Sequence, residues 1–239
     1  MAAVQHANLA LIYGAETWRA TPLLVVEFLE GGTLADRLRA EPLEADAAVE
    51  LGLVLCDVLD RIHSAGILHR DVKPSNIGYT REGVAKLLDF GLAQMVQDSL
   101  YGSERALERG RAFGTRDVIG QNSTLVTEGI VGTPLYMSPE ALWGESPSAS
   151  FDLWSTAIVL YEAIARRSPV QRATWAETLD CITNARVPDV REFEPTCPAA
   201  LATLLSSSLA RERSRRPDSA RALAQRLREV RVRESSAAA

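Results

Sequence analysis

Eight residues, His69 to Asn76 (HRDVKPSN), bring a carboxylate at Asp71, an ammonium at Lys73 and a primary amide at Asn76 into one short stretch. Thirteen positions after Asn76 comes a second carboxylate, Asp89, in the tripeptide DFG. These residue types suit phosphoryl transfer. An Asp can orient an attacking hydroxyl and accept its proton, a Lys can neutralise charge on the moving phosphoryl group, and an Asn and an Asp can hold Mg²⁺ through oxygen.

Such groups act only if rigid elements hold them. From Glu44 to Ala65 the apolar residues Leu51, Val54, Leu55, Val58, Leu59 and Ile62 follow the helical period over a broad face, and Gly66 supplies a stop. This predicts a long buried helix that delivers Ile67 and Leu68 into the HRD loop, with His63 as a helix-end residue. Ahead of it, Ala10 to Tyr13 and Leu23 to Phe28 predict two short strands around a polar turn at Glu16 and Thr17. Gly31 and Gly32 follow, and Thr33 is placed to cap a helix in TLADRLRA. Phe151 to Ala165 (FDLWSTAIVLYEAIA) predicts a buried helix, Thr174 to Glu177 a capping box, and Pro198 another helix start. Residues 211–233 carry nine arginines, yet Leu223, Leu227 and Val230 give that segment a buried stripe, so a solvated final helix is expected rather than a polybasic binding tail.

The bulk numbers bound the function. With 239 residues, 46% hydrophobic and 24% charged, the chain can bury a large core as one domain or two small ones and is not mainly disordered. A formal charge of −5 argues against a general nucleic-acid binder. Cys56, Cys181 and Cys197 are odd in number and lack CxxC or Cys/His metal spacing, which suggests reduced thiols in a cytoplasmic compartment. No apolar run reaches membrane-spanning length, the N-terminus lacks a positive leader, and no fixed-period repeat is visible.

The order of HRDVKPSN, DFG, GTPLYMSPE (Gly132 to Glu140), FDLW and RRPDSA resembles the eukaryotic-like, bacterial-type serine/threonine protein kinases. The resemblance implies an α+β, protein-kinase-like fold: a mainly α-helical large lobe with a two-strand remnant of the small lobe. The kinase domain would cover 1–234, with 1–30 as small-lobe remnant and hinge, 31–234 as large lobe, and 235–239 as a disordered tail. It also implies ATP and Mg²⁺ as cofactors and a protein Ser/Thr hydroxyl as acceptor.

Carried over by motif position, Asp71 would orient the hydroxyl and take its proton, Lys73 would contact the γ-phosphate, and Asn76 and Asp89 would bind Mg²⁺. Thr133 would hydrogen-bond to Asp71 and Lys73, while Leu135 to Met137 would shape the pocket for the residue after the phosphoacceptor. Val26 would be the gatekeeper, backbone groups of Glu27 and Leu29 would bind adenine, and Ser75 and Gly78 would line the nucleotide site. Arg70 would dock a phosphorylated activation segment, and His69 and Phe90 would pack in the hydrophobic spine. Asp152 would hold the HRD backbone, and Glu140 would pair with Arg216 in the interior. Lys73 followed by Pro74 resembles the serine/threonine kinases rather than the tyrosine kinases.

The chain departs from the family in three ways. It contains no GxGxxG and no lysine before Lys73, so the glycine-rich loop and the strand lysine that grips the phosphates are not in it. The expectation is a shortened kinase that starts beyond the helix carrying the partner glutamate. Its activity alone would be weak or nil, and a partner or a further segment could complete the small lobe. The alternative is a pseudokinase-like binding or scaffold module. Secondly, Gly78 stands where the family has a bulky floor beneath adenine, a loss of about 1 to 3 kcal/mol of apolar burial that predicts weak nucleotide affinity. Thirdly, the segment from Asp89 to Glu140 is long, with a Gly/Ser/Arg-rich insertion at Asp98 to Asn122 and candidate phosphorylation sites at Thr124 and Thr127.

Overall fold

The computed structural model describes residues 4–19, 21–88 and 134–237. Strand β1 (Ile12–Trp18) pairs antiparallel with β2 (Thr21–Val26), Ile12 opposite Val26 and Trp18 opposite Thr21. The turn therefore lies between Trp18 and Thr21, not at Glu16 and Thr17, and Arg19 takes φ 47 as a two-residue hairpin turn demands. Glu16 and Thr17 remain within the strand because they are exposed there, so polarity did not mark a turn. Just ahead of β1, the Ala10 N–H donates to the Leu87 carbonyl and the Leu87 N–H to the Asn8 carbonyl.

Helix α1 (Leu34–Ala40) starts from a capping box in which Thr33 and Asp36 satisfy each other's backbone N–H. Helix α2 (Ala45–Ser64) buries Leu51, Leu55, Val58, Leu59 and Ile62, the face expected from its period. It closes in a Schellman motif: Gly66, at φ 75, donates to the His63 carbonyl and Ile67 to the Ile62 carbonyl. That closure aims the chain into the HRD loop. A second antiparallel pair follows, β3 (Ile77–Tyr79) with β4 (Ala85–Leu87), Gly78 opposite Lys86.

Beyond the undescribed stretch come α3 (Pro139–Leu142), α4 (Ala149–Ala165), α5 (Trp175–Thr183), α6 (Ala199–Ser208) and α7 (Ala220–Ala237). Helix α4 is apolar on all sides and buried accordingly, with Trp154, Ile158, Val159, Leu160 and Tyr161 nearly inaccessible. It packs with α2 and α7. A Cβ at Gly52 in α2 would come within 2.9 Å of the Leu160 and Leu227 side chains, so the close approach of the three helices uses that glycine. Thr174 and Glu177 form the expected capping box of α5. Leu223, Leu227 and Val230 are the buried stripe of α7, and Arg221 on its outer side reaches Asp60 at 3.1 Å. The helix runs to Ala237.

Glu140 and Arg216 meet in the interior at 2.7 Å, with side chains 1% and 4% exposed. Cys56, Cys181 and Cys197 are buried, and burial pushes the Cys56 thiol up to about 12. Among the described residues no helix is long and apolar enough to cross a membrane.

Candidate active site

The loop after α2 is fixed from beneath by one carboxylate. Asp152, in the first turn of α4 and 1% exposed, accepts the His69 N–H at 2.9 Å on Oδ2 and the Arg70 N–H at 2.7 Å on Oδ1. His63 Nε2–H donates to the same Oδ2 at 2.8 Å. Arg70 stands at φ 67, a left-handed conformation that costs a side chain about 1 to 3 kcal/mol. Its charge-assisted hydrogen bond to Asp152 offsets that strain. The turn it makes presents Asp71 outward.

His69 is fully buried. Its Nε2 lies 2.8 Å from the Leu88 carbonyl, which can only accept, and its Nδ1 accepts the Asp71 N–H at 3.3 Å. Those two bonds define the neutral Nε2–H tautomer.

Asp71 is half-exposed. Its Oδ2 accepts from Lys73 Nζ at 2.7 Å and from Asn76 Nδ2 at 2.7 Å, and Asn76 Nδ2 also donates to the Asp71 carbonyl at 2.9 Å. A 3₁₀ turn, Pro74–Asn76, brings the amide back to the carboxylate. Among the described residues no donor reaches Asp71 Oδ1 or competes for Asn76 Oδ1. The first is an anionic oxygen of the kind a hydroxyl donates to. The second is the kind of neutral oxygen that a hard divalent cation takes as a ligand. Ser75 is exposed on the same turn. No group of three His, Cys, Asp or Glu able to hold a metal occurs among the described residues.

The hinge is built by different contacts. Val26 ends β2 opposite Ile12, and the Glu27 N–H donates to the Leu11 carbonyl at 2.8 Å. The Glu27 carboxylate receives Lys86 Nζ at 2.6 Å and the Leu11 N–H at 3.0 Å. Burial works to raise its pKa, but the Lys86 ammonium and the Leu11 amide prevail and hold it below the usual range. After Leu29, Gly31 and Tyr79 exchange backbone bonds with the chain: Gly31 N–H to the Tyr79 carbonyl at 2.8 Å, and Tyr79 N–H to the Gly32 carbonyl at 2.9 Å.

Gly78 leaves no gap. A Cβ placed there would run into the Leu29 side chain and lie 3.2 Å from Leu88 Cδ1. The apolar surface expected from position 78 is thus supplied from the hinge and from β4's end. Leu88 in turn donates its N–H to the Asn76 carbonyl at 2.8 Å, which connects this floor to the Asp71 loop.

The structure brings together Asp71, Lys73 and Asn76, and separately Val26, Glu27, Leu29 and Gly78. Asp89 and Thr133 lie outside the described residues, as do Phe90, the insertion at Asp98 to Asn122, Thr124 and Thr127. Two contacts went unread in the sequence: His63 on Asp152, and Lys86 on Glu27. Lys86 is one of only two lysines in the chain and stands three residues before Asp89, a signal that was available; its partner 59 positions away was not.

Residues 1–227 match the family described as protein kinase domain. The serine/threonine-protein kinase PknB of Mycobacterium tuberculosis is 32% identical over 213 residues, covering 87% of this chain and 29% of that protein. The probable serine/threonine-protein kinase SCO3848 of Streptomyces coelicolor is 34% identical over 149 residues, 62% of this chain and 19% of that protein. The chain spans less than a third of the length of these curated relatives. The crystal structure of Rad53 1–466 in complex with AMP-PNP matches with a TM-score of 0.71 over 93% of this chain and 50% of the other, at 21% identity, a likeness of fold.

Proposed function

This chain belongs to the protein kinase family, and on that premise we propose that it transfers the γ-phosphate of ATP to protein Ser or Thr hydroxyls. The observation that carries the reading is the triangle of Asp71, Lys73 and Asn76, closed by two 2.7 Å bonds on one carboxylate oxygen. Asp71 Oδ1 accepts the hydrogen bond of the attacking hydroxyl and takes its proton as the new O–P bond forms. Lys73 lies beside that carboxylate, where its ammonium meets the γ-phosphate. Asn76 Oδ1 and Asp89 would hold Mg²⁺. Bound ATP would supply the phosphoryl group, and bound Mg²⁺ would neutralise its developing charge. By motif position, Thr133 would hydrogen-bond to Asp71 and Lys73. The backbone of Glu27 and Leu29 holds adenine against Val26, Leu29 and the Gly78 position, and Ser75 borders the phosphates.

The Ser/Thr preference is supported by Lys73–Pro74 and by the names of the relatives. The buried thiols of Cys56 and Cys181 support a reducing, cytoplasmic setting. These 239 residues alone would have weak or no activity, because no lysine precedes Lys73 to grip the phosphates. A partner or a further segment that completes the small lobe raises it.

A second reading, a non-catalytic binding module, is favoured by the apolar surface left open at the hinge end: Phe28 is 86% exposed and Tyr13 67%. Labelled ATP with Mg²⁺ separates the two. Autophosphorylation is expected to fall by about 10²-fold or more in Asp71→Asn, whereas equal incorporation by both proteins would leave the binding module standing.

A further inference from the structure

A depression of about 680 Å³ opens where the end of α4 meets the loop that follows it, and Glu162, Arg166, Arg167, Arg172, Pro188 and Phe193 line it. Three arginines line it, and none is paired with a carboxylate among the described residues. Each is nevertheless held. Arg172 donates to the carbonyls of Pro169, Gln171 and Arg186 at 2.8 to 3.1 Å. Arg167 stacks on Phe193, 4.2 Å from the ring centroid. Arg166 donates to the Arg39 carbonyl at 3.2 Å.

The one acid in the lining offers the arginines little. Glu162 Oε2 is taken by the Tyr136 hydroxyl at 2.7 Å, and Glu162 is partly buried. The nearby Asp189 is committed to Arg191 at 2.7 Å. Oriented, unneutralised guanidinium forks in a chain of net charge −5 are suited to an anionic group with several acceptor oxygens.

The place of the depression gives the anion a role. Tyr136, which holds Glu162, belongs to the 3₁₀ turn Pro134–Tyr136, and its carbonyl is fixed by Ser155 Oγ at 2.7 Å. This turn lies in the GTPLYMSPE segment that the kinase reading assigns to the residue after the phosphoacceptor.

We propose that the Arg166–Arg167–Arg172 depression is a substrate subsite that takes an anionic side chain, carboxylate or phosphorylated, carried a few residues from the phosphoacceptor. The proposal rests on the kinase reading for its placement, but its test requires only binding.

Fluorescently labelled Ser-centred peptides carrying a single Asp, a single phosphoserine or only Ala at flanking positions are titrated with the chain without ATP. The Asp or phosphoserine peptide is expected to bind about 10-fold tighter than the Ala peptide, as charge-assisted bonds to arginine imply. Arg167→Gln and Arg166→Gln should each remove most of that preference, Arg167→Lys should keep part of it, and the melting temperatures should stay put. Tighter binding of phosphoserine assigns the subsite to a phosphorylated substrate, and equal or tighter binding of Asp to an acidic one. Equal affinity for all three peptides overturns the proposal, as does a preference that survives both glutamine variants. Inorganic phosphate that displaces the acidic peptide at equal concentration would make this a free-anion site and also defeat it. Asp71→Asn should keep the preference for the acidic peptides over the Ala peptide, so a lost kinase activity and a lost subsite read out separately.

Discussion

The loop that carries Asp71 is held by buried groups from three directions, whereas the β1–β2 hairpin, which leads into the hinge, faces water on much of its surface. Asp152 receives two backbone N–H groups and His63, and Leu88 ties His69 and Asn76 together. In the hairpin, Tyr13, Trp18, Leu23 and Val25 are all exposed. Its best anchors lie at its ends, where Leu11 meets Glu27 and Ala10 meets Leu87. A two-stranded ribbon is marginal in water and presents unpaired edges. The half of the site proposed to handle the acceptor hydroxyl is thus over-determined, and the half proposed to handle the nucleotide depends on what covers it.

The comparison breaks first at the buried pair under the large lobe. Arg216 donates to Glu140, to the Ala210 carbonyl and to the Arg211 carbonyl, and stacks on Trp154. Arg216→Ala leaves Glu140 charged and buried, so a loss of about 3 to 5 kcal/mol is expected in urea unfolding. Unchanged unfolding would mean that the lobe does not rest on this pair.

A smaller effect sharpens the contrast through pH. Burial holds the Glu162 carboxyl above the ordinary range, although the Tyr136 hydroxyl acts to lower it. The folded state therefore keeps a proton that the unfolded chain has already released. Stability contributed by this group is fully present below the unfolded value near 4.5 and declines as pH rises through the raised folded value. Glu162→Gln preserves an acceptor for Tyr136 and removes the titration, so that part of the decline should vanish from melting curves measured across this window. A slope identical to the parent's would place the titration elsewhere.

The smallest effect belongs to the hairpin. Trp18 is 63% exposed, and Trp18→Ser should change stability by no more than about 0.5 kcal/mol. A larger loss, measured by the same urea titration, would show that the hairpin is covered in solution and would erase the contrast.

Much of this was legible in the residues. The period of α2 and α7, the Gly66 stop, the Thr33 cap and the Thr174 capping box are local patterns, and each fell where it was expected. Motif order alone pointed to Asp152 beneath the loop and to Arg216 beside Glu140. The hairpin turn was misplaced because Glu16 and Thr17 are polar for exposure, not for turning. Gly78 suggested a missing floor because the sequence does not show that Leu29 folds back over it.

What the sequence determined by itself was short-range: helix faces, caps, stops, and the ordered set of groups that marks the family. Only the tertiary structure decided the pairings across long separations, His63 with Asp152 over 89 positions, Glu27 with Lys86 over 59, and three arginines around one depression. The physical reason is that propensity and periodicity act over a few turns of chain, while a buried charge finds its partner only when the core has closed around both.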